Sequence, residues 1–145
     1  MPDNRNVMRV CLHTGLRVSD VLALKPEQLR RRFAITELKT GKRRTVSLTD
    51  ALLRDLQARA GEHWVFPGRD PTKHRTRQAV WRDVKRAAKA FRLPQNVAPH
   101  SARKVYAVNM LHKYGDIEKV RRALNHDSAY VTYIYAMADR LMPSV

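Results

Sequence analysis

Cysteine is nearly absent. Cys11 is the only one, so no intramolecular disulfide can form, and this usage fits a reducing, intracellular setting. It lies in the apolar run Val7-Met8-Arg9-Val10-Cys11-Leu12, where a small buried hydrophobe is its expected role. Long hydrophobic runs are missing too: none approaches the roughly 20 residues of a membrane span. The opening Met1-Pro2-Asp3-Asn4-Arg5 lacks the apolar region of a signal peptide, so the chain is expected to be soluble and cytoplasmic. No HExxH pattern accompanies the six histidines and there is no second cysteine, so no metal site and no cofactor are expected. A Walker phosphate loop fails as well, because the glycine it needs five residues before Gly41 is Thr36. Internal repeats and low-complexity tracts are lacking.

Acidic residues are the other scarcity. Thirteen Asp and Glu face 29 Lys and Arg, a formal charge of +16 over 145 residues. Such an excess repels itself unless a polyanion is near, which makes nucleic acid the leading partner. Charge alone would also suit a ribosomal protein or a binder of membrane surfaces, so it names a partner class and no activity. The positive residues are spread over several segments and not gathered in a tail, as on a folded basic surface. A hydrophobic content of 43% suffices for one core, and one domain spanning residues 1–145 is expected.

Patterning gives a mainly α chain with a small antiparallel β-sheet. A helix runs to His13 and breaks at Gly15. Ser19 is the candidate N-cap of a short helix from Asp20 to Leu24, and Pro26 favours an exit. Phe33-Ala34-Ile35-Thr36 and Thr45-Val46-Ser47-Leu48 around Thr40-Gly41-Lys42 read as a hairpin. Asp50 is the expected cap of an amphipathic helix carrying Leu52, Leu53, Leu56 and Ala60, which Gly61 ends, and the short apolar element Trp64-Val65-Phe66 follows. After a polar loop from Pro67 to Arg75, Thr76 starts a long helix with one basic face. Helices are then expected over Ser101–Lys113, Asp116–Leu124 and about Ser128–Tyr135.

Three stretches carry the chemistry: Thr14-Gly15-Leu16-Arg17-Val18-Ser19-Asp20, His100-Ser101-Ala102-Arg103, and Leu124-Asn125-His126 with Tyr135 nine positions further on. Taken singly, Arg17 and Arg103 read as two solvated arginines among many. Yet a guanidinium is well suited to phosphate, because it donates paired planar hydrogen bonds and stays charged at every working pH. His100 and Arg103 share a face at the start of a helix, where the dipole favours an anion. Asp20, three residues after Arg17, is expected on the same face as that guanidinium and able to orient it. Lys39 lies in the hairpin, with Lys42 as its rival.

In this order and spacing the stretches resemble the tyrosine recombinases, or phage integrase family, over about Val7 to Arg140. The resemblance implies the DNA breaking-rejoining catalytic-domain fold. It implies a site in which Arg17, Arg103 and His126 hold the scissile phosphate and Asp20 supports them. Lys39 is implied as the acid for the departing 5′ oxygen, His100 as handler of the nucleophile's proton, and Tyr135 as the nucleophile, chosen over Tyr130 and Tyr133 by its spacing from His126. Two positions depart from the family's habit. Ala102 stands where a bulky apolar residue is usual, and Asn125 stands for a glycine, as the side chain that best tolerates left-handed backbone. Double-stranded DNA is the implied partner, with a tetramer on DNA and a monomer allowed when free. The N-terminal DNA-binding domain of typical members is expected to be absent. A type IB topoisomerase, a non-catalytic DNA-binding module of the same fold and a plain basic RNA-binding protein are the alternatives.

Overall fold

A computed structural model describes residues 2–93 and 96–124. His126, Tyr135 and the helix expected over Ser128–Tyr135 lie outside the described residues. Among the described residues, the chain runs α1 (Pro2–Thr14), α2 (Val18–Leu22), a 3-10 turn (Pro26–Gln28), β1 (Arg32–Thr36), β2 (Arg43–Ser47), α3 (Asp50–Arg59), α4 (Arg77–Ala90), α5 (Pro99–Tyr114) and α6 (Ile117–Ala123). The mainly helical architecture with one small antiparallel sheet is as the sequence indicates.

Capping explains most boundaries and the departures from expectation. Thr76 Oγ1 accepts from Ala79 N–H at 3.2 Å and starts α4, and Asp116 accepts from Glu118 N–H at 2.9 Å and starts α6. Two expected caps move. α3 is capped by Thr49, whose Oγ1 accepts from Leu52 N–H at 3.3 Å, so Asp50 becomes the first helical residue, where a carboxylate suits the helix dipole. α2 begins at Val18 and not after Ser19. Its cap position is Arg17, in extended backbone (φ −69°, ψ 148°) with no side-chain cap bond. The helix expected from Ser101 starts two residues earlier, at Pro99, a residue pre-set for the first helical position, and Ser101 Oγ accepts from Ala98 N–H at 3.0 Å. Trp64-Val65-Phe66 forms no strand, although Val65 N–H donates to Leu24 O at 3.1 Å.

The hairpin pairs Phe33 with Val46 and Ile35 with Arg44. Since strand side chains alternate between faces, Phe33, Ile35 and Val46 turn together into the core. There they join Val7, Val10 and Cys11 of α1, Val21 and Leu22 of α2, and Leu52 and Leu56 of α3, all buried. Burial pushes the Cys11 thiol up to about 12, so it stays protonated as a core hydrophobe. A second cluster, Ala107, Val120 and Leu124, packs α6 onto α5. α5 also packs along α1, which sets the start of α5 near the α1–α2 turn. Among the described residues no helix is long and apolar enough to cross a membrane.

Candidate active site

Three chain segments distant in sequence meet at one cleft of about 760 Å³. The α1–α2 turn contributes Arg17, α2 Asp20, the hairpin turn Lys39, and the first turns of α5 His100 and Arg103. Five of the seven candidate site residues are thus brought together. The other two, His126 and Tyr135, lie outside the described residues. α4 supplies the remaining wall with Arg77, Gln78 and Trp81, which sequence reasoning did not single out.

Arg17 owes its place to the turn. Its carbonyl accepts from the amides of Asp20 (3.0 Å) and Val21 (3.1 Å), opening α2, while its side chain remains outside the helix. For that reason the expected pairing with Asp20 across a helical face does not form. The hydrogen bond of Asp20 goes instead from Leu38 N–H to Oδ1, 2.9 Å, which fastens the hairpin beside Lys39 to α2. Arg17 finds its carboxylate in Glu37, whose Oε2 lies 3.2 Å from Nη1.

Glu37 and Arg44 are further residues that the sequence reading missed. Glu37 is 1% and Arg44 8% exposed. Their Oε1 and Nη1 stand 3.9 Å apart, an ion pair beyond hydrogen-bond reach, and Arg44 also donates to Thr14 O. The signal was present in the alternation. Residue 37 continues the inward series 33, 35, and residue 44 precedes Val46 on the same face.

Arg103 is 1% exposed, and its Nη2 donates to Leu124 O at 2.7 Å. The guanidinium therefore ties the start of α5 to the end of α6, two residues before His126 in sequence. A buried cation is tolerated only with strong partners, and this bond supplies one at the cleft floor.

Burial first, and charge after it, shifts the protonation of the site. Burial raises the Asp20 carboxyl above the usual carboxylate range, the Leu38 amide bond opposes this, Glu37 adds to it, and Arg17 and Arg103 oppose it. For His100 partial desolvation at the cleft wall comes first, then the cations of Arg103, Lys104, Arg17 and Lys39, and all lower its pKa. Solvent still reaches His100, which is exposed at the cleft wall. At neutral pH the imidazole is held neutral, able to take a proton. Burial likewise lowers the Arg44 pKa, opposed chiefly by Tyr106 and Glu37. Among the described residues no three His, Cys, Asp or Glu side chains cluster to hold a metal ion.

Comparison with known proteins adds an independent line. The model of the phage integrase family matches residues 2–141. Tyrosine recombinase XerD of Rhizobium meliloti is 32% identical over 133 residues, covering 84% of this chain and 43% of that protein. The catalytic domain of bacteriophage HP1 integrase is 26% identical with a TM-score of 0.65, covering 91% of this chain and 73% of that one. The fold also matches XerH site-specific recombinase in a post-cleavage complex with a palindromic difH substrate. There the TM-score is 0.75 at 22% identity, over 95% of this chain and 43% of that one. The chain spans about half the length of the curated relatives it matches.

Proposed function

Because the chain belongs to the phage integrase family, we propose that residues 1–145 act as a tyrosine recombinase catalytic domain that cuts and rejoins double-stranded DNA by transesterification. The observation that carries this reading is the convergence of Arg17, Lys39, His100 and Arg103 on one cleft. The Tyr135 oxygen attacks phosphorus and the bond to the 5′ oxygen breaks, leaving a 3′-phosphotyrosyl link and a free 5′ hydroxyl. The phenol proton passes to neutral His100, and Lys39 protonates the departing oxygen. Arg17, Arg103 and His126 bind the non-bridging oxygens, where negative charge grows as the transition state forms. Asp20 supports the site by fastening the hairpin. Since the bond energy is stored in the tyrosyl ester, religation is the same path reversed and neither ATP nor a metal is required.

Exposed Arg77 and Gln78 on the α4 wall extend the contact surface along the DNA. Assembly as a tetramer on DNA, from chains that are monomeric when free, is part of this reading, as is action inside the cell. The relatives are named recombinases and integrases, which favours strand exchange over the supercoil relaxation of a type IB topoisomerase.

The test is covalent capture. A nicked trapping duplex incubated with the chain in EDTA is expected to yield a protein–DNA adduct whose linked peptide contains Tyr135. Tyr135→Phe, which keeps the ring and removes the attacking oxygen, should bind DNA and form none, whereas Tyr133→Phe should form it. Attachment at Tyr130 or Tyr133, or adduct persisting in Tyr135→Phe, would overturn the assignment.

A further inference from the structure

The side chain of Glu37 has no exposed surface, and the chemistry above makes no use of it. A carboxylate is not sunk into an apolar wall without partners that repay its desolvation, and those partners are specific here. Oε2 accepts from Arg17 Nη1 at 3.2 Å and from Thr40 Oγ1 at 2.8 Å, while Oε1 faces Arg44. The main chain of Glu37 closes the same turn: its carbonyl accepts from Gly41 N–H at 2.8 Å, and its amide donates to Lys42 O at 2.9 Å. One oxygen atom thus joins a cleft arginine to the turn in which Lys39 precedes Thr40. The hairpin has other anchors, from Asp20 to Leu38 and from Arg44 to Thr14 O, so Glu37 is not needed merely to dock it.

Resting on the strand-cleavage reading, we propose that Glu37 is a positioning residue that fixes Arg17 and the Lys39 turn relative to each other, so that phosphate binding and leaving-group protonation occur in register. It touches neither DNA nor the reacting atoms. Its two legs are separable: Thr40→Val at an exposed site cuts the turn leg, together with the 3.2 Å bond its Oγ1 accepts from Lys42 N–H in the same turn, and leaves the Arg17 leg whole, whereas Glu37→Gln keeps an acceptor oxygen and removes the charge that Arg17 faces.

The experiment measures single-turnover cleavage of a nicked trapping duplex with oxygen or 5′-bridging sulfur as the leaving atom, sulfur needing no protonation. Thr40→Val is expected to slow the oxygen substrate about tenfold and to cleave the sulfur substrate at the wild-type rate. Glu37→Gln is expected to lose about a hundredfold with oxygen and to recover only about tenfold with sulfur, since the Arg17 leg stays loosened. Duplex affinity should hold within about threefold in both, because neither residue contacts a phosphate. Amide hydrogen exchange at residues 37–42 should quicken in both, with other segments unchanged, and the surface variant Asp55→Asn should match wild type throughout. Equal loss with both leaving atoms in Thr40→Val, oxygen cleavage near the wild-type rate in both variants, or affinity falling in step with rate would each overturn the proposal. A wild-type chain that forms adduct with neither substrate overturns the reaction itself, and the role of Glu37 in it, an outcome distinct from variants that cleave as well as an active wild type.

Discussion

Replacing Gly15 by alanine adds one methyl group where α1 hands over to the turn bearing Arg17, and its cost can be worked from two terms. The backbone φ there is +69°, in the left-handed region that costs an L residue roughly 1–2 kcal/mol. The new Cβ would stand 2.3 and 2.6 Å from Tyr106 Cδ1 and Cε1 and 2.9 Å from Leu124 Cδ2. These are contacts real Cβ atoms do not make, and the nearest atoms belong to a packed ring and not to a flexible tip. Such overpacking costs about 1–3 kcal/mol, so Gly15→Ala should destabilise by about 2–5 kcal/mol in all. Gly115 supplies the control. Its φ is +64° with nothing within 4 Å of a built Cβ, so Gly115→Ala should pay only the backbone term, about 1–2 kcal/mol. The difference between the two variants isolates the clash. In urea melts, with a slope of about 2 kcal/mol/M, Gly15→Ala should lower the midpoint by about 1–2.5 M and Gly115→Ala by less than about 1 M. Equal shifts would refute the packing argument. Tyr106 would have to move, and the Arg44 guanidinium lies 5.9 Å from its ring centroid, so the strain should reach the hairpin network as well.

Other outcomes follow from the charge and the cleft. Duplex binding should weaken by about a thousandfold between 50 and 200 mM salt, with little preference between unrelated sequences, as measured by fluorescence anisotropy; a flat salt response would contradict the phosphate-dominated footprint. His100 should titrate by NMR below its usual 6.5, and adduct formation should fall as pH drops through that midpoint, because the neutral ring accepts the proton. With the folded pKa below the unfolded one, His100 adds nothing to the pH dependence of stability above about 6.5 and removes stability as pH falls below it; a midpoint at or above 6.5 would refute the shift. Lys39→Ala should lose about 10²–10⁴-fold in cleavage with duplex affinity nearly intact, and a 5′-bridging sulfur should restore it. Failure of that rescue would move the acid role elsewhere, first to Lys42.

The elements were legible where one physical signal ruled. Thr76, Asp116 and the hairpin alternation each had a single reading, and α4, α6 and the sheet stand where those signals put them. Boundaries slipped where two residues competed for one role. Thr49 and Asp50 can both cap, and only the built turn decides that the hydroxyl takes the bond. Ser19 is the better cap by type, yet the chain enters α2 two residues earlier, at an arginine that offers no cap at all. In the site, motifs identified side chains that meet across the fold, but a basic helix face reads the same whether it borders open solvent or a cleft, so Arg77, Gln78 and Trp81 were invisible. The positions of His126 and Tyr135 rest on the sequence alone.

Glu37 was hidden for a more instructive reason. Period-two alternation puts residues 37 and 44 on the inward face, but a glutamate and an arginine there read as a strand leaving the core, unless one knows that each meets an opposite charge. Burying them is costly singly and tolerable together, so the information resides in the pair and in the fold that joins them. The sum of charges around the cleft then has a consequence. Arg17, Arg44 and Arg103 bring three guanidinium charges, and Asp20 and Glu37 at most two carboxylates, with burial of Asp20 working against its ionisation. Among these described residues the guanidinium groups outnumber the carboxylates by one before Lys39 is counted. A phosphodiester supplies one negative charge, and the attack of a tyrosine oxygen on it builds a second. In the proposed reaction a surplus of guanidinium charge at the cleft favours the more highly charged transition state over the ground state, which is the electrostatic contribution asked of Arg17 and Arg103.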